Sequence, residues 1–176
     1  QDSLVGSEMC IRDSSRGVQG EVVVIGKAAH TPHCEPKFIR PQIIESLERL
    51  QTTKLDIFCL HRDNPEVPVS EFIDALTEVK NEGLIDLIGA SNWEFHRFSE
   101  ARDYASISGR ESFTLLSNNF SLAEMIEPVW PGCVGVTDQY LNYLIEEEVM
   151  LFPWSSQARG FFVKQKEVMS SDHFSN

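Results

Sequence analysis

One unit recurs along this chain at an interval of about 30 residues: an apolar strand pattern, a polar or aromatic residue at its end, and an amphipathic helix pattern. The residues that close the five strand patterns are Lys27, His61, Ser91, Ser117 and Trp154, and by subtraction they lie 34, 30, 26 and 37 residues apart. Strands that alternate with helices are typical of a parallel sheet, because each helix carries the chain back to the start of the next strand. The repeat therefore predicts an α/β fold.

The clearest strand pattern is LDIFCL at residues 55–60, an apolar run typical of a strand that is buried on both faces. The others are EVVVIGK at 21–27, LIDLIGASN at 84–92, SFTLLSNN at 112–119 and VMLFPWSS at 149–156.

Four helices are predicted from apolar residues at helical spacing. Pro41 suits a first helical turn, Ser70 and Thr137 are candidate N-caps, and Gly83 is a stop signal. The apolar positions are Ile43, Ile44, Leu47 and Leu50 in the first helix, Phe72, Ile73, Leu76 and Val79 in the second, Phe95, Phe98 and Ala101 in the third, and Leu141, Leu144 and Ile145 in the fourth.

Two parallel architectures fit this alternation. In a (β/α)8 barrel all strand ends point to one face, where active sites lie, whereas an open doubly wound sheet gathers ligands mainly at its switch point. Polar or aromatic groups at all five strand ends favour the barrel. A complete barrel needs roughly 250 residues, so a chain of 176 residues is expected to hold about strands three to seven of an incomplete (β/α)8 barrel.

Charge and composition restrict the possible partners. The net charge of −12 argues against a nucleic-acid or anionic membrane surface, and no apolar run is long enough to span a membrane. The four cysteines form no C-x-x-C pair, which fits free thiols in a reducing cytosol. We therefore expect a cytoplasmic protein with a small-molecule partner, and the sequence predicts no oligomeric state.

Both ends of the chain differ from the repeat. The stretch LVGSEMCIRDS at 4–14 resembles a translated sequencing-library adapter, so we interpret residues 1–14 as a non-native tail and 15–176 as the domain. The last residues, KQKEVMSSDHFSN, provide no closing element, and we expect the chain to be a fragment of a longer gene product.

Several strand-end residues carry useful chemistry. Lys27 can act as a Schiff-base nucleophile, an anion contact or a charge that tunes a neighbouring acid, or it can simply extend to solvent. A neutral His61 can polarise a carbonyl or move a proton. Ser91 and Asn92 can hold an amide or cap the following helix, and Trp154 can stack on a heteroaromatic ring or fill the core.

Phosphate-binding and metal-binding motifs are less evident. The loop containing Ser155, Gln157 and Arg159 offers hydroxyl, amide and cationic groups to phosphate oxygens, but the chain has neither G-x-G-x-x-G nor G-x-x-x-x-G-K-[ST]. A dinucleotide would therefore have to bind without a Rossmann turn. His30 and Cys34 belong to an H-x-x-H-C spacing that matches no closed zinc pattern, and we predict no metal site.

The segments VVVIGK, SLERLQTTKLDIFCLHRD, LIGASNWE and LFPWSSQARGFF resemble the aldo-keto reductase family in family order over residues 21–162. The resemblance implies a (β/α)8 barrel that uses NADP(H) to reduce aldehydes and ketones. It also implies a catalytic role for Lys27, which would lower the pKa of a catalytic tyrosine, and for His61, which would orient the carbonyl. Arg62 and Asp63 are interpreted as ion-pair partners that fix the loop.

The resemblance also implies a set of cofactor contacts. Ser91 and Asn92 match the pair that holds the nicotinamide carboxamide, and Trp154 takes the place of a stacking tyrosine. Ser117 stands where the family usually has glutamine, and because its side chain is shorter, a water or the neighbouring Asn118 would have to make that amide contact. Ser155 and Gln157 fall in the loop that faces the pyrophosphate.

The sequence also departs from the family's pattern. The family's catalytic aspartate and tyrosine belong to segments before Lys27, and its 2′-phosphate contacts belong after the last residue here, so NADP over NAD rests on the resemblance alone. Two alternative functions stay open: a non-catalytic nucleotide-binding barrel subunit, and a Schiff-base aldolase that uses Lys27.

Overall fold

The computed structural model describes residues 22–162 and 173–175, and its centre is a sheet of five parallel strands in the order β1-β2-β3-β4-β6. Two further strands, β5 and β7, pair with each other in antiparallel fashion. The strands are β1 (Ile25–Ala28), β2 (Leu55–Leu60), β3 (Ile85–Ala90), β4 (Leu115–Leu116), β5 (Glu124–Met125), β6 (Met150–Leu151) and β7 (Phe174–Ser175).

Four α-helices lie between successive strands of the main sheet: α1 (Ile39–Leu50), α2 (Val69–Asn81), α3 (Phe95–Ser108) and α4 (Asp138–Glu146). Short 3-10 helices occupy Pro36–Phe38 and Ala158–Gly160. The strand order of the main sheet follows the chain order, without the reversal that creates a switch point in a doubly wound sheet. This is the topology of part of a (β/α)8 barrel, as the repeat predicted.

The two faces of the sheet belong to different apolar clusters. Phe58, Ile88 and Leu116 belong to the large core that includes the buried stripes of the helices. Ile57, Cys59 and Leu115 form a smaller cluster with Leu87. Because side chains alternate along each strand, the two sets occupy opposite faces. Full burial of each large side chain contributes roughly 1.5–3 kcal/mol, so the helix-covered face provides most of the stabilisation.

Several local predictions are confirmed. Thr137 caps α4, because its Oγ1 accepts a hydrogen bond from the Tyr140 backbone N at 3.2 Å. Gly83 follows α2 with a φ of 77°, which favours glycine because other residues rarely adopt it. Phe98 and Ala101 are buried on α3, as the apolar spacing predicted.

Others are wrong in detail. Ser70 lies inside α2, which begins at Val69 without a side-chain cap, since the chain already turns at Pro68. Ile145 is 67% exposed, and Tyr140 is buried in its place, because α4 is rotated towards α3. The first strand begins at Ile25 rather than Glu21, and Lys27 is its penultimate residue.

No helix within the described ranges is both long enough and apolar enough to cross a bilayer. The predicted tail at residues 1–14 lies outside the described residues, as does most of the last segment after Phe162.

Candidate active site at the carboxyl edge of the sheet

A cavity of about 320 Å³ opens beside the carboxyl ends of the parallel strands. It brings together six of the predicted site residues, which come from three strand ends and the loop after β6. Its wall consists of Lys27, His61, Arg62, Ser91, Asn92, Trp130, Cys133, Trp154 and Ser155. Ser117 and Gln157 do not line this cavity, although Ser117 accepts a hydrogen bond from Lys27, which does.

Lys27 connects three strands at this edge. Its Nζ donates hydrogen bonds to Ser117 Oγ at 2.9 Å and to Ser91 Oγ at 3.3 Å. Burial of the ammonium lowers the pKa of Lys27, the Cys59 thiol on the neighbouring strand raises it, and the Arg62 guanidinium lowers it. The lysine is thus held in one place by two hydroxyl acceptors rather than by a carboxylate, within the part of the chain that is described.

His61 directly follows β2, and its backbone N donates to Ala28 O at 2.7 Å, which fixes it against β1. Its ring meets the ring of His30 edge-on at a centroid distance of 4.7 Å. Burial lowers the pKa of His61 to about 4, and the nearby His30, Arg62 and Lys27 lower it in the same direction. The imidazole is therefore neutral near pH 7 and can donate one N–H to a carbonyl oxygen.

Ser91 and Asn92 are buried in a network of protein hydrogen bonds. Ser91 Oγ donates to Ser117 O at 2.6 Å and accepts from Asn92 Nδ2 at 3.0 Å. Asn92 Nδ2 also donates to His61 O at 3.3 Å, and its Oδ1 accepts from Val134 N at 3.3 Å. Both side chains thus fix the positions of neighbouring segments as well as lining the cavity.

Asn118 and Asn119 organise the site, and sequence reasoning gave them no such role. Asn118 is fully buried, and its Oδ1 accepts from the backbone N atoms of Asn92 at 2.6 Å and Trp93 at 3.3 Å, while its Nδ2 donates to Trp93 O at 2.9 Å. Asn119 Nδ2 donates to Trp154 O at 3.3 Å. The only sequence signal was the run SNN after the strand pattern.

Trp154 lies beyond the end of β6, in a parallel bridge with Asn119. Its backbone N donates to Asn118 O at 3.2 Å. Its indole Nε1 is buried and has no hydrogen-bond partner among the described residues. The next residue, Ser155, has a φ of 55°, so the chain turns sharply as it leaves the cavity wall.

The expected ion-pair role holds for Asp63 but is wrong for Arg62. Asp63 accepts two hydrogen bonds from Arg97 of α3, at 2.9 and 3.1 Å, and this pair is largely buried. Arg62 instead lines the cavity, where its Nη1 donates to His61 O at 3.2 Å and its Nη2 approaches Cys133 Sγ at 3.7 Å. The sequence alone did not show that Asp63 would find its partner in Arg97, 34 residues further along the chain.

The loop between β5 and α4 supplies two wall residues that sequence analysis missed, Trp130 and Cys133. The histidine and cysteine spacing at residues 30–34 supports the wall, because His30 contacts His61 and Cys34 Sγ donates to Arg62 O at 3.1 Å. Across residues 22–162 and 173–175, no group of three or more His, Cys, Asp or Glu side chains is arranged to hold a metal ion.

Comparison with known proteins points to one family. The sequence profile described as "Aldo/keto reductase family" matches residues 7–173. An aldo-keto reductase of Fusarium vanettenii is 29% identical over 125 residues, which are 71% of this chain and 31% of that protein. Versiconal hemiacetal acetate reductase of Aspergillus parasiticus is 30% identical over 115 residues, which are 65% of this chain and 31% of that protein.

The fold is likewise similar to solved structures. An aldo-keto reductase of Klebsiella pneumoniae, crystallised with NADP and acetate, superposes with a TM-score of 0.72 at 20% identity. The superposition covers 92% of this chain and 52% of that one. The chain thus spans about half the length of this structural neighbour and about a third of the length of the two relatives above.

Proposed function

The chain belongs to the aldo/keto reductase family, and from that premise we propose that the full-length protein containing it is an NADP(H)-dependent oxidoreductase that reduces aldehydes or ketones to alcohols. The observation that carries the proposal is the meeting of Lys27, His61 and Trp154 around one cavity at the carboxyl edge of the sheet. In a barrel this edge is where active sites lie.

The wall of the cavity fits a nicotinamide ring. Trp154 offers an aromatic face to the cavity. Ser91 and Asn92 place polar groups beside it, consistent with contacts to a carboxamide. When bound, the cofactor would supply the hydride. Ser155 would lie at the start of the pyrophosphate contacts, with Gln157 further along the same loop.

Two residues would act on the carbonyl. A neutral His61 would donate its N–H to the carbonyl oxygen and so fix the orientation of the reacting carbon. Lys27, held by Ser91 and Ser117, would place a cation beside the proton donor and stabilise the anion that forms there.

The proton donor would come from outside this chain. Tyr104 donates to Asp74, Tyr140 reaches Trp93 O at 3.4 Å, and the hydroxyl of Tyr143 contacts Arg102, so none of the chain's three tyrosines lines the cavity. We therefore propose that the full-length protein supplies the catalytic tyrosine and its partner aspartate from another segment.

The test is NADPH oxidation by the full-length protein with a panel of aldehydes. Lys27→Met should lower kcat by about 100-fold or more, while the dissociation constant of NADPH changes less than about 3-fold, because the charge acts mainly in the transition state. Lys54→Met, which removes a surface lysine paired with Asp86, is the matched control. Turnover by Lys27→Met at the control's rate would contradict the role of Lys27, and wild type that binds NADPH but reduces no carbonyl would contradict the reductase assignment.

One observation favours a second candidate, a Schiff-base aldolase. A buried lysine with a lowered pKa is a better nucleophile than an exposed one, and burial lowers the pKa of Lys27. Borohydride treatment in the presence of an aldehyde or ketone would trap an adduct on Lys27 if this function is correct. An intact, unmodified Lys27 by mass spectrometry would eliminate it.

A further inference from the structure

Arg62 differs from the other arginines of the described chain in its partners. Arg40, Arg49, Arg97, Arg102 and Arg110 each pair with a carboxylate. Arg159 stacks on Trp130 and makes further contacts. Arg62 has no carboxylate partner among residues 22–162 and 173–175, although the chain has 27 acidic residues against 15 basic ones. An ion pair that fixes the loop therefore does not explain the position of Arg62.

The contacts of Arg62 leave most of its donors available. The guanidinium has five N–H groups in a planar fork. One reaches a backbone oxygen and one approaches a thiol sulfur, which is a weak acceptor. The side chain is half-buried, and a partly desolvated cation without a counter-ion is costly. An anion that enters the cavity would relieve this cost.

Packing keeps the guanidinium at the cavity. A Cβ added to Gly132 would lie 3.6 Å from both Cδ and Nε of Arg62, so this part of the loop passes beside the side chain. The sulfur of Cys133 lies 3.7 Å from Nη2, at the end of the guanidinium group. Arg62 is therefore held between the end of β2 and the loop from β5 to α4, and needs little reorganisation to bind a ligand.

Arg62 also lies away from the residues that are proposed to contact the cofactor. His61 and Arg62 follow β2, whereas Trp154 and Ser155 follow β6, three strand positions away in the sheet. Among the described residues, the cavity wall contains no aspartate or glutamate, and its charged groups are Lys27 and Arg62. Lys27 donates two of its three N–H groups to hydroxyls, whereas Arg62 keeps three of five for a ligand.

We propose that Arg62 is a specificity residue that binds a carboxylate on the carbonyl substrate, so that the enzyme prefers oxo-acids to neutral aldehydes. This rests on the proposed reductase function and defines its substrate class. The carboxylate would accept two parallel N–H bonds from the fork of Arg62, while the adjacent His61 donates to the carbonyl oxygen of the same molecule. A phosphate of the cofactor offers the same anion chemistry, and the experiment separates the two sources.

The experiment compares 4-formylbenzoate with its neutral methyl ester as substrates of the full-length enzyme with NADPH. The measured quantity is the ratio of kcat/KM for the acid to kcat/KM for the ester, because any general damage to the enzyme lowers both terms. Arg62→Gln should lower this ratio about 10- to 100-fold, the loss expected for a charge-assisted hydrogen bond. Arg62→Lys should retain an intermediate ratio, since it keeps the charge but loses the fork.

Arg40→Gln is the matched control, because it removes an exposed arginine on α1 that pairs with Glu82. Binding of 4-(hydroxymethyl)benzoate, measured by quenching of tryptophan fluorescence, provides a readout that does not require turnover, and it should weaken in parallel with the ratio. A ratio within about 3-fold of wild type in Arg62→Gln would overturn the proposal. A raised KM for NADPH with an unchanged ratio would assign Arg62 to a cofactor phosphate instead. If the wild type reduces neither aldehyde but binds the acid through Arg62, the reductase function fails while the anion site stands.

Discussion

At the scale of single residues, the fold keeps His61 uncharged. Burial lowers its pKa to about 4, below the usual value of 6.5, and His30, Arg62 and Lys27 act in the same direction. Between pH 6.5 and pH 4 the unfolded chain therefore binds a proton that the folded chain does not. The free energy of unfolding should fall as the pH is lowered through this range.

His61→Asn should remove this pH-dependent part of the unfolding free energy. Between pH 7 and pH 4.5 we expect the wild-type protein to lose roughly 1–2 kcal/mol more unfolding free energy than the variant, allowing for the partial exposure of the ring. Urea denaturation of the full-length protein at the two pH values measures the difference. His96→Asn, a change at an exposed histidine on α3, is the control and should behave as wild type. Equal losses in wild type and His61→Asn would show that His61 titrates normally.

The residues that sequence analysis recognised share one property. They lie at or near strand ends, and they are Lys27, His61, Ser91 and Trp154. A parallel sheet brings the ends of its strands together whatever the conformation of the loops between them. Arg62 was misread because the choice of partner for adjacent charges depends on tertiary contacts. The catalytic roles of these residues stay predictions.

At the scale of elements, Asn118 joins the end of β4 to the segment that follows β3. Its side chain makes three hydrogen bonds to the backbone of Asn92 and Trp93. Removal of the side chain would leave the backbone N–H groups of Asn92 and Trp93 without this acceptor, which costs about 1–3 kcal/mol each when no water enters, whereas Trp93 O keeps the hydroxyl of Tyr140 at 3.4 Å. Asn118→Ala should therefore lower the free energy of unfolding by about 3 kcal/mol and weaken NADPH binding, because Asn92 lines the cavity.

Asn119→Ala is the comparison for this change, since the Asn119 side chain makes one long hydrogen bond, to Trp154 O at 3.3 Å. It should cost about 1 kcal/mol. Urea denaturation and a fluorescence titration with NADPH measure both effects. A loss in Asn118→Ala no greater than that in Asn119→Ala would mean that the three contacts are energetically unimportant.

Asp63 and Arg97 connect the loop after β2 to α3. Arg97 is 8% exposed, donates twice to Asp63 and once to Val67 O at 2.8 Å, and lies 5.5 Å from the ring of Trp93. Removal of the carboxylate would leave a buried cation, so Asp63→Asn should lower the unfolding free energy by about 3 kcal/mol.

The exposed pair of Arg40 and Glu82 is the matched control for this prediction. Glu82→Gln should cost less than about 1 kcal/mol, because water screens the pair. Chemical denaturation of both variants gives the comparison, and similar losses would argue that the pair at Asp63 is solvated in solution.

Apolar spacing predicted where the helices lie along the chain, but it predicted less well which face of each helix is buried. On α4 the spacing placed Leu144 and Ile145 on one buried face, whereas Tyr140 and Leu144 are buried and Ile145 is exposed. The ring of Tyr140 packs against Phe95 and Phe98 of α3, and no local pattern encodes a partner on another helix.

At the scale of the whole molecule, sequential strand order follows from the repeat itself. Each helix is long enough to return the chain to the adjacent strand and no further, so β1, β2, β3, β4 and β6 line up in order. What the repeat could not predict is the antiparallel pair of β5 and β7, which joins two irregular segments far apart in the chain. Such pairings depend on where loops meet after the sheet has formed.

The five-stranded sheet leaves β1 and β6 paired on one side only, within the described residues. Ile25 and Met150, which lie on these edge strands, are 42% and 40% exposed. Unpaired apolar edges favour association with other chains. The cavity also lacks a tyrosine, and general acid catalysis typically contributes about 10²–10⁴-fold.

We therefore expect the 176-residue chain, expressed by itself, to reduce aldehydes at least about 100-fold more slowly than the full-length protein and to associate as its concentration rises. NADPH absorbance with an aldehyde panel measures the rate, and sedimentation velocity at several concentrations measures the association. Addition of a homologous segment that supplies the proposed tyrosine and pairs with β1 should restore NADPH binding, because the segment would both complete the cavity and cover one edge of the sheet. Rapid turnover by a monomer of the chain alone would mean that its own residues provide the proton donor, and the roles assigned to Lys27 and the absent tyrosine would then have to be abandoned.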